Sequence, residues 1–454
     1  MFLGRNSELN FLWQRYQATG SQVSVVYGQR FVGRHALLKE FTKTLPCKTL
    51  IARAVSDREI CFQWAKENKV GNSLGQYPSF QELFSHLVSL DDGDKLVIVI
   101  DEFQNILRQD RSFMKAILDI IAMPDKGRDV FFILSSSSIC FVENGLIDKI
   151  GDYAFKISGF LKVKELRYEQ MRRFMPSYTR KETMEMYSVL GGYPGLWMNL
   201  DPYKTVKENI IDIILNPNGF FMHEAQYLVE SQLREVQVYN TILLALASGK
   251  NKLNDLYYHT DFSRAKLSVY IKNLMELELV QKAFSVDSDS RGNTQKGVYR
   301  IQNPLVLFYY AFVFPNLNGY YSLNAEDFYD TYIRTQFREY VEDSMKVIGQ
   351  EIIRSYCEKG MIPFEIDKMG EWVGKLDSID VVAFNENKEA LVCMCNYEKN
   401  VLTIDDYDWL MLLAKKARFQ VHTVVLVTFE RFDQGLLDKG KQMGNLHLIS
   451  LKDL

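Results

Sequence analysis

The sequence predicts an α/β fold built on a parallel sheet, and three observations predict it. Residues 25–38, VVYGQRFVGRHALL, run from a hydrophobic strand through a loop bounded by Gly28 and Gly33 into an amphipathic helix. Residues 96–100, LVIVI, form an apolar run suited to burial on both faces, the mark of a central parallel strand, and end in Asp101 and Glu102. Residues 129–138, DVFFILSSSS, repeat the pattern and end in serines. Strands alternating with helices imply right-handed crossovers and a parallel sheet. Ligands of such sheets bind at the carboxyl ends of the strands. The loop, the acidic pair and the serines all fall at that edge.

The elements follow in order. FLGRNSELNFLWQRY reads as a turn and a helix capped by Asn6 or Ser7. SQVSVVYG is the first strand, HALLKEFTKTL a helix up to Pro46, and CKTLIARAV the second strand. Helices are expected in REICFQWAKEN, PSFQELFSHLVSL and RSFMKAILDIIAM. From residue 161 to 237 the pattern is helical. In 238–302, VYNTILLALASG, KLNDLYYHT and SRAKLSVYIKNLMELELV predict three helices, closed by the polar hairpin QKAFSVDSDSRGNTQKGVYRI. Three helices and a β-wing describe a winged helix. Residues 303–335 form an aromatic-rich linker, helical or extended. In 336–454 a helix (336–358) precedes a short strand near FEI, strands SIDVVAF and EALVCMCNY, helix DDYDWLMLLAKKAR and strand HTVVLVTF. The expected domains are therefore 1–160, 161–237, 238–302, 303–335 and 336–454.

A chain of 454 residues exceeds one ordinary core. A hydrophobic fraction of 47% and a charged fraction of 24% are those of a soluble globular protein. The net charge of −3 predicts no global attraction to nucleic acid or an anionic membrane. The six cysteines are scattered without a CxxC pair, so neither zinc nor a disulfide framework is signalled, and a reducing cytoplasm is expected. No apolar stretch approaches the roughly 18 residues of a membrane span, and no export segment opens the chain.

A phosphate loop works because successive backbone N–H groups and a helix N-terminus converge on anionic oxygens. Gly28 and Gly33 suit the close approach and positive φ this needs. The two residues after the second glycine are usually Lys and then Ser or Thr; here they are Arg34 and His35. Arg34 keeps the charge but is bulkier and planar. His35 cannot copy a hydroxyl that ligates Mg²⁺, a hard ion that prefers oxygen. Asp101 is then the candidate metal residue, holding a Mg²⁺ water, and Glu102 the candidate for orienting an attacking water. The alternative is that the pair caps the helix at FQNIL.

GQRFVGRHALL, LVIVIDEFQNI, ILSSSS and GGYPGLW, in this order, resemble the archaeal-type ATPases of the signal-transduction (STAND) branch of AAA+-like P-loop NTPases, whose usual loop reads GRRRVGKTxLL. The resemblance implies ATP and Mg²⁺ as cofactors. It assigns nucleotide binding to Gly28, Gln29, Arg30, Phe31, Val32, Gly33, Arg34, His35 and Ala36, and catalysis to Asp101 and Glu102. Ser135 and Ser136 take the sensor position, and Gly4 with Arg5 would flank the base. Gly192, Tyr193 and Pro194 match the GxP motif of the helical lid, placing Pro194 near the adenine; by residues alone they are a helix end and turn. The segments MGEWVGKLDSIDVVAF and EALVCMCNYEKN resemble a PD-(D/E)xK nuclease, a restriction-endonuclease-like α/β domain. Asp380 keeps the Asp position, whereas Ser378, Met394 and Asn396 stand where acidic residues and a Lys are usual. Glu398 and Lys399 are two residues out of register, about 7 Å along a strand. An inactive nuclease remnant is expected, with Cys393 and Cys395 as buried thiols.

The expected function is nucleotide-gated regulation or interaction, with ATP or ADP bound and little or no hydrolysis. Two alternatives stand beside it: an active ATPase using Asp101 and Glu102, and a nucleotide-free adaptor for DNA or protein. DNA would meet the third helix of the winged unit, with Arg264, Lys266 and Lys272, and the wing, with Lys282, Arg291, Lys296 and Arg300. Glu276, Glu278, Asp287 and Asp289 offset these, so an arm packed within the protein is the competing role. No membrane partner is expected.

Overall fold

The computed structural model describes residues 2–70, 74–75, 77–90, 93–107, 112–123, 127–221, 223–231, 233–288, 297–374 and 377–452. Two compact units divide the chain: Met1–Leu166 with Tyr193–Leu196, and Arg167–Gly192 with Trp197–Leu454.

The first unit holds a five-stranded sheet. Its strands are β1 (Gln22–Tyr27), β2 (Cys47–Ile51), β3 (Leu96–Asp101), β4 (Val130–Ser136) and β5 (Gly159–Lys162), in the order β2-β3-β4-β1-β5. Every pairing is parallel. β3 and β4 are buried along their whole length, as their unbroken apolar runs require. Around the sheet lie α1 (Asn6–Gln17), α2 (Arg34–Phe41), α3 (Asp57–Glu67), α4 (Phe80–Ser89) and α5 (Ser112–Ala122). Phe84 contacts Trp64, Phe80, Phe113 and Phe132, which ties α3, α4 and α5 to β4 through aromatic edges.

The order of strands positions the site. β4 lies between β1 and β3, so Ser135 stands opposite both Val26 and Asp101. The loop after β1 and the acidic pair after β3 are therefore separated by the serines that end β4. β5 was not expected from the sequence, and the boundary at 160 falls inside it. Four residues, only partly buried, leave no periodic signal; they pair because β1 would otherwise present an open edge. The α1 cap also differs: Arg5 occupies the cap position without a side-chain cap bond, and Asn6 is already helical.

In the second unit, α6 (Arg180–Leu190) starts with a capping box between Thr179 and Glu182. Helices α7 (Val236–Ala247), α8 (Leu253–Thr260) and α9 (Arg264–Glu276) precede an antiparallel pair, β6 (Val280–Ala283) and β7 (Val298–Ile301). Asp289, Arg291 and Lys296 lie outside the described residues. The aromatic linker is helical over most of 304–333. The long helix α10 (Phe337–Glu358) leads to a mixed sheet ordered β14-β12-β10-β9-β8. Its strands are β8 (Lys368–Val373), β9 (Ser378–Phe384), β10 (Glu389–Asn396), β12 (Gln420–Thr428) and β14 (Leu446–Ser450). Short strands β11 (Val401–Leu402) and β13 (Arg431–Phe432) pair separately, and α11 (Ile404–Lys416) and α12 (Gln434–Gln442) complete the region. The strand expected near FEI is absent; the chain becomes extended and paired only at Lys368. Val286, just after β6, donates its N–H to the carbonyl of Glu371 on β8 at 2.8 Å and sits in one core with Trp372. Among the described residues, no helix is long and apolar enough to cross a membrane.

Candidate functional site

The loop 28–36 joins β1 to α2. The N–H of Gly28 donates to the carbonyl of Ser136 at 3.2 Å. A Cβ at Gly28 would lie 2.3 Å from the carbonyl oxygen of Val163, so only glycine fits beside the chain leaving β5. Gly33 takes φ 95° at the start of α2. Phe31 takes φ 64°, uncommon for a bulky residue.

Three donors from outside hold the loop in shape. The N–H of Gly195 reaches the carbonyl of Phe31 at 2.9 Å. Arg5 Nη2 reaches the carbonyl of Val32 at 2.6 Å. Tyr193 Oη donates to Gln29 Oε1 at 2.6 Å. A trans peptide points its C=O and N–H in opposite directions, and the chain has no cis bond. The N–H groups of Val32 and Gly33 therefore point away from Gly195 and Arg5. Pro194 lies where a Cβ at Gly33 would touch its ring at 3.4 Å. Arg5 is buried at 4% exposure and also pairs with Glu8, so it buttresses the loop.

Arg34 and His35, the substituted residues, both turn to the acidic pair. The Arg34 guanidinium spans β4 and the chain after β3, donating to Ser135 Oγ at 2.8 Å and Glu102 Oε1 at 3.0 Å, with Asp101 Oδ1 at 3.7 Å. His35 Nε2 lies 2.6 Å from Asp101 Oδ2. Glu102 takes φ 53°, and its Oε2 accepts from Ser137 Oγ at 2.6 Å and Gln104 Nε2 at 2.5 Å. Burial alone pushes both carboxyls up. In Asp101 the His35 hydrogen bond and the nearby charges outweigh it, and in Glu102 the Arg34 charge with the Ser137 and Gln104 bonds does so, leaving both below the usual range. The hydrogen bond to Asp101 raises His35.

Gln29, Arg30, Phe31, Val32, Gly33 and Pro194 thus surround one turn, and Arg34, His35, Asp101, Glu102 and Ser135 form one network beside it. Ala36 follows on α2. Ser136 is placed differently: its Oγ accepts the N–H of Ser138 at 3.1 Å and its carbonyl anchors Gly28. Sequence reasoning missed Ser137 and Gln104, and it named Tyr193 only within the GxP motif. The SSSS run contained the first, but nothing local marks which serine meets Glu102.

The residues present do not fit Mg²⁺. That ion demands near-octahedral oxygen ligands. His35 replaces the hydroxyl and already occupies Asp101 Oδ2, while Arg34 sets a fixed positive charge 3.7 Å from the other oxygen. Among the described residues, no group of three or more His, Cys, Asp or Glu is placed to hold a metal.

At the second sheet, Asp380 Oδ2 accepts the N–H of Cys395 at 2.9 Å. Beside it is a cavity of about 270 Å³ lined in part by Glu342, Met394, Glu398 and Trp409. Asn396 donates to the carbonyl of Lys399 and to Thr428 Oγ1, and Lys399 pairs with Asp406. Cys393 and Cys395 are buried with their sulfurs 3.7 Å apart.

Residues 309–408 match a family model, DUF234, described as "Archaea bacterial proteins of unknown function". An uncharacterized protein of Methanocaldococcus jannaschii is 24% identical over 403 residues, 86% of each chain. The ORC2 protein of Aeropyrum pernix, in ADPNP-ADP complexes, is 14% identical, with a TM-score of 0.47 over 69% of this chain and 93% of that one. The Walker-type ATPase PABY2304 of Pyrococcus abyssi is 18% identical and aligns with a TM-score of 0.50 over 68% of this chain and 96% of that one. The fold is therefore that of a Walker-type P-loop ATPase with a parallel central sheet.

Proposed function

We propose that this chain binds ATP or ADP at the loop 28–36 and uses occupancy to regulate or engage a partner, with little or no hydrolysis. The observation that carries this reading is that Arg34 and His35 are both bonded to the acidic pair. The loop keeps the main-chain shape that grips an anion. Glu102 has both oxygens engaged and its carboxyl lowered, which opposes a role in taking a proton from water.

Nucleotide at the loop would bias Pro194, which follows α6 through Gly191 and Gly192. Such a population shift needs only differential affinity. Within the second unit α6 is tied to the C-terminal region. Tyr340 on α10 donates to the carbonyl of Ser188 at 2.9 Å, Tyr397 donates to Glu185, and Lys181 meets Glu430 at 3.1 Å. These contacts support transmission of a lid movement to the tail.

The three helices with β6 and β7 support a winged helix acting as an arm. Arg300 pairs with Glu371, Lys272 with Glu276, and Arg264 with Asn254, so these three cations are locally engaged. The tail supports an inactive nuclease-like scaffold. Asp380 is hydrogen-bonded to main chain and its carboxyl is raised by burial.

Titration with labelled ATP, alongside phosphate release, tests the reading. Saturable binding without release is expected. Release abolished by Glu102→Gln would establish the hydrolase instead, and absence of any binding would leave the adaptor. Arg34→Lys with His35→Thr is expected to raise affinity when Mg²⁺ is supplied.

A further inference from the structure

The N–H groups of Val32 and Gly33 point away from the donors that anchor the loop, while Arg34 and His35 engage the acidic pair, and these two observations constrain the ligand. In a metal-dependent site the divalent ion screens the acidic pair from the phosphates. Here Arg34 and His35 do so. His35 holds Asp101 Oδ2 through Nε2 at 2.6 Å. Arg34 lies 96% buried, its fork spanning Glu102 Oε1 and Ser135 Oγ. The same planar fork matches two phosphate oxygens. A Mg²⁺ carried in on the nucleotide would meet two cationic or donor side chains and no free hydroxyl. It would also weaken the charge that attracts the phosphates to Arg34.

We infer that the nucleotide bound at this loop is metal-free, with Arg34 as its counter-cation, and that Glu102 is a latch which Arg34 leaves when phosphate arrives. The inference rests on the nucleotide reading and deepens it by naming the ligand's charge state. It follows that removing the latch strengthens binding, since the phosphates no longer compete with a carboxylate for the guanidinium. It also follows that restoring the hydroxyl restores sensitivity to the metal.

Calorimetric titration of the full chain with ATP, once in EDTA and once in excess Mg²⁺, tests this. The affinity in EDTA should equal or exceed that in Mg²⁺ to within about threefold. Glu102→Gln should tighten metal-free binding by about tenfold, and Arg34→Ala should lose it. Arg34→Lys, which keeps a charge without the fork, should weaken it by a smaller factor and guards against a misfolded Arg34→Ala. His35→Thr should make Mg²⁺ strengthen binding. Mg²⁺ strengthening the parent's binding by about tenfold or more would overturn the inference while leaving nucleotide binding intact. Unchanged or weakened affinity in Glu102→Gln would overturn the latch. Absence of binding in both buffers would overturn the inference and the nucleotide reading together.

Discussion

Asp101 and Asp380 each end or line a sheet strand, yet their environments have opposite signs. Burial raises both carboxyls. At Asp101, a donor at 2.6 Å and the Arg34 guanidinium reverse that effect, and the carboxyl ends below its usual range. At Asp380 a single N–H and the more distant Lys346 do not, and the carboxyl ends above it. At the first site Arg34 and His35 face the acidic pair and supply its charge partners. At the second site Asn396 joins the carbonyl of Lys399 to Thr428 Oγ1 and does not bond Asp380. Charge is paired at one site and left unpaired by a side chain at the other.

Breaking the charge pairing should give the largest effect. Arg34→Ala leaves the buried Asp101 and the partly buried Glu102 without the guanidinium and should destabilise the first unit by about 3–5 kcal/mol, measured by chemical denaturation. Steric tests come next. Gly28→Ala and Gly349→Ala each place a Cβ 2.3 Å from a neighbour and should each cost about 1–3 kcal/mol. The neighbours differ: a main-chain oxygen of Val163 for one, the Cys395 sulfur for the other. Cys395→Ala should therefore rescue Gly349→Ala, while no side-chain truncation rescues Gly28→Ala.

The pH profile sharpens the comparison further. His35 has a raised folded pKa, so its contribution is complete below its unfolded value of about 6.5 and is lost as pH rises through the folded value. Asp101 is lowered, so its contribution is complete above about 3.9 and is lost as pH falls through the folded value. The pair is fully stabilising between those limits, and His35→Ala should remove the loss on the alkaline side. Asp380 acts the other way, since a raised carboxyl makes the ionised form unfavourable. Asp380→Asn keeps an acceptor for the Cys395 N–H without the charge. The smallest effect is expected there, within about 1 kcal/mol at neutral pH and stabilising in sign.

The loop, the two central strands and the acidic pair were legible because each is written in contiguous residues. Gly28 and Gly33 punctuate a strand-to-helix turn, and the runs 96–100 and 130–134 are apolar throughout. β5, β8 and β14 were not legible. β5 and β8 are only partly buried and β14 spans five residues, so neighbours recruit them more than their own periodicity does. Nothing local in the sequence marks Arg5 for burial. Its burial against Val32 depends on how α1 lies across the loop. Ser137 could not be distinguished from its neighbours, since only the turn after β4 decides which hydroxyl meets Glu102.

By itself the sequence determined the residue types at the sheet edge, and with them the absence of a lysine and a hydroxyl directly after Gly33. Hydrophobic period and glycine placement are local properties, readable without coordinates. Only the tertiary structure decided where Arg34 and His35 point, because long side chains choose among many rotamers and settle on the charges that distant strands bring near. β4, inserted between β1 and β3, set that distance and turned two substitutions into one network with the acidic pair.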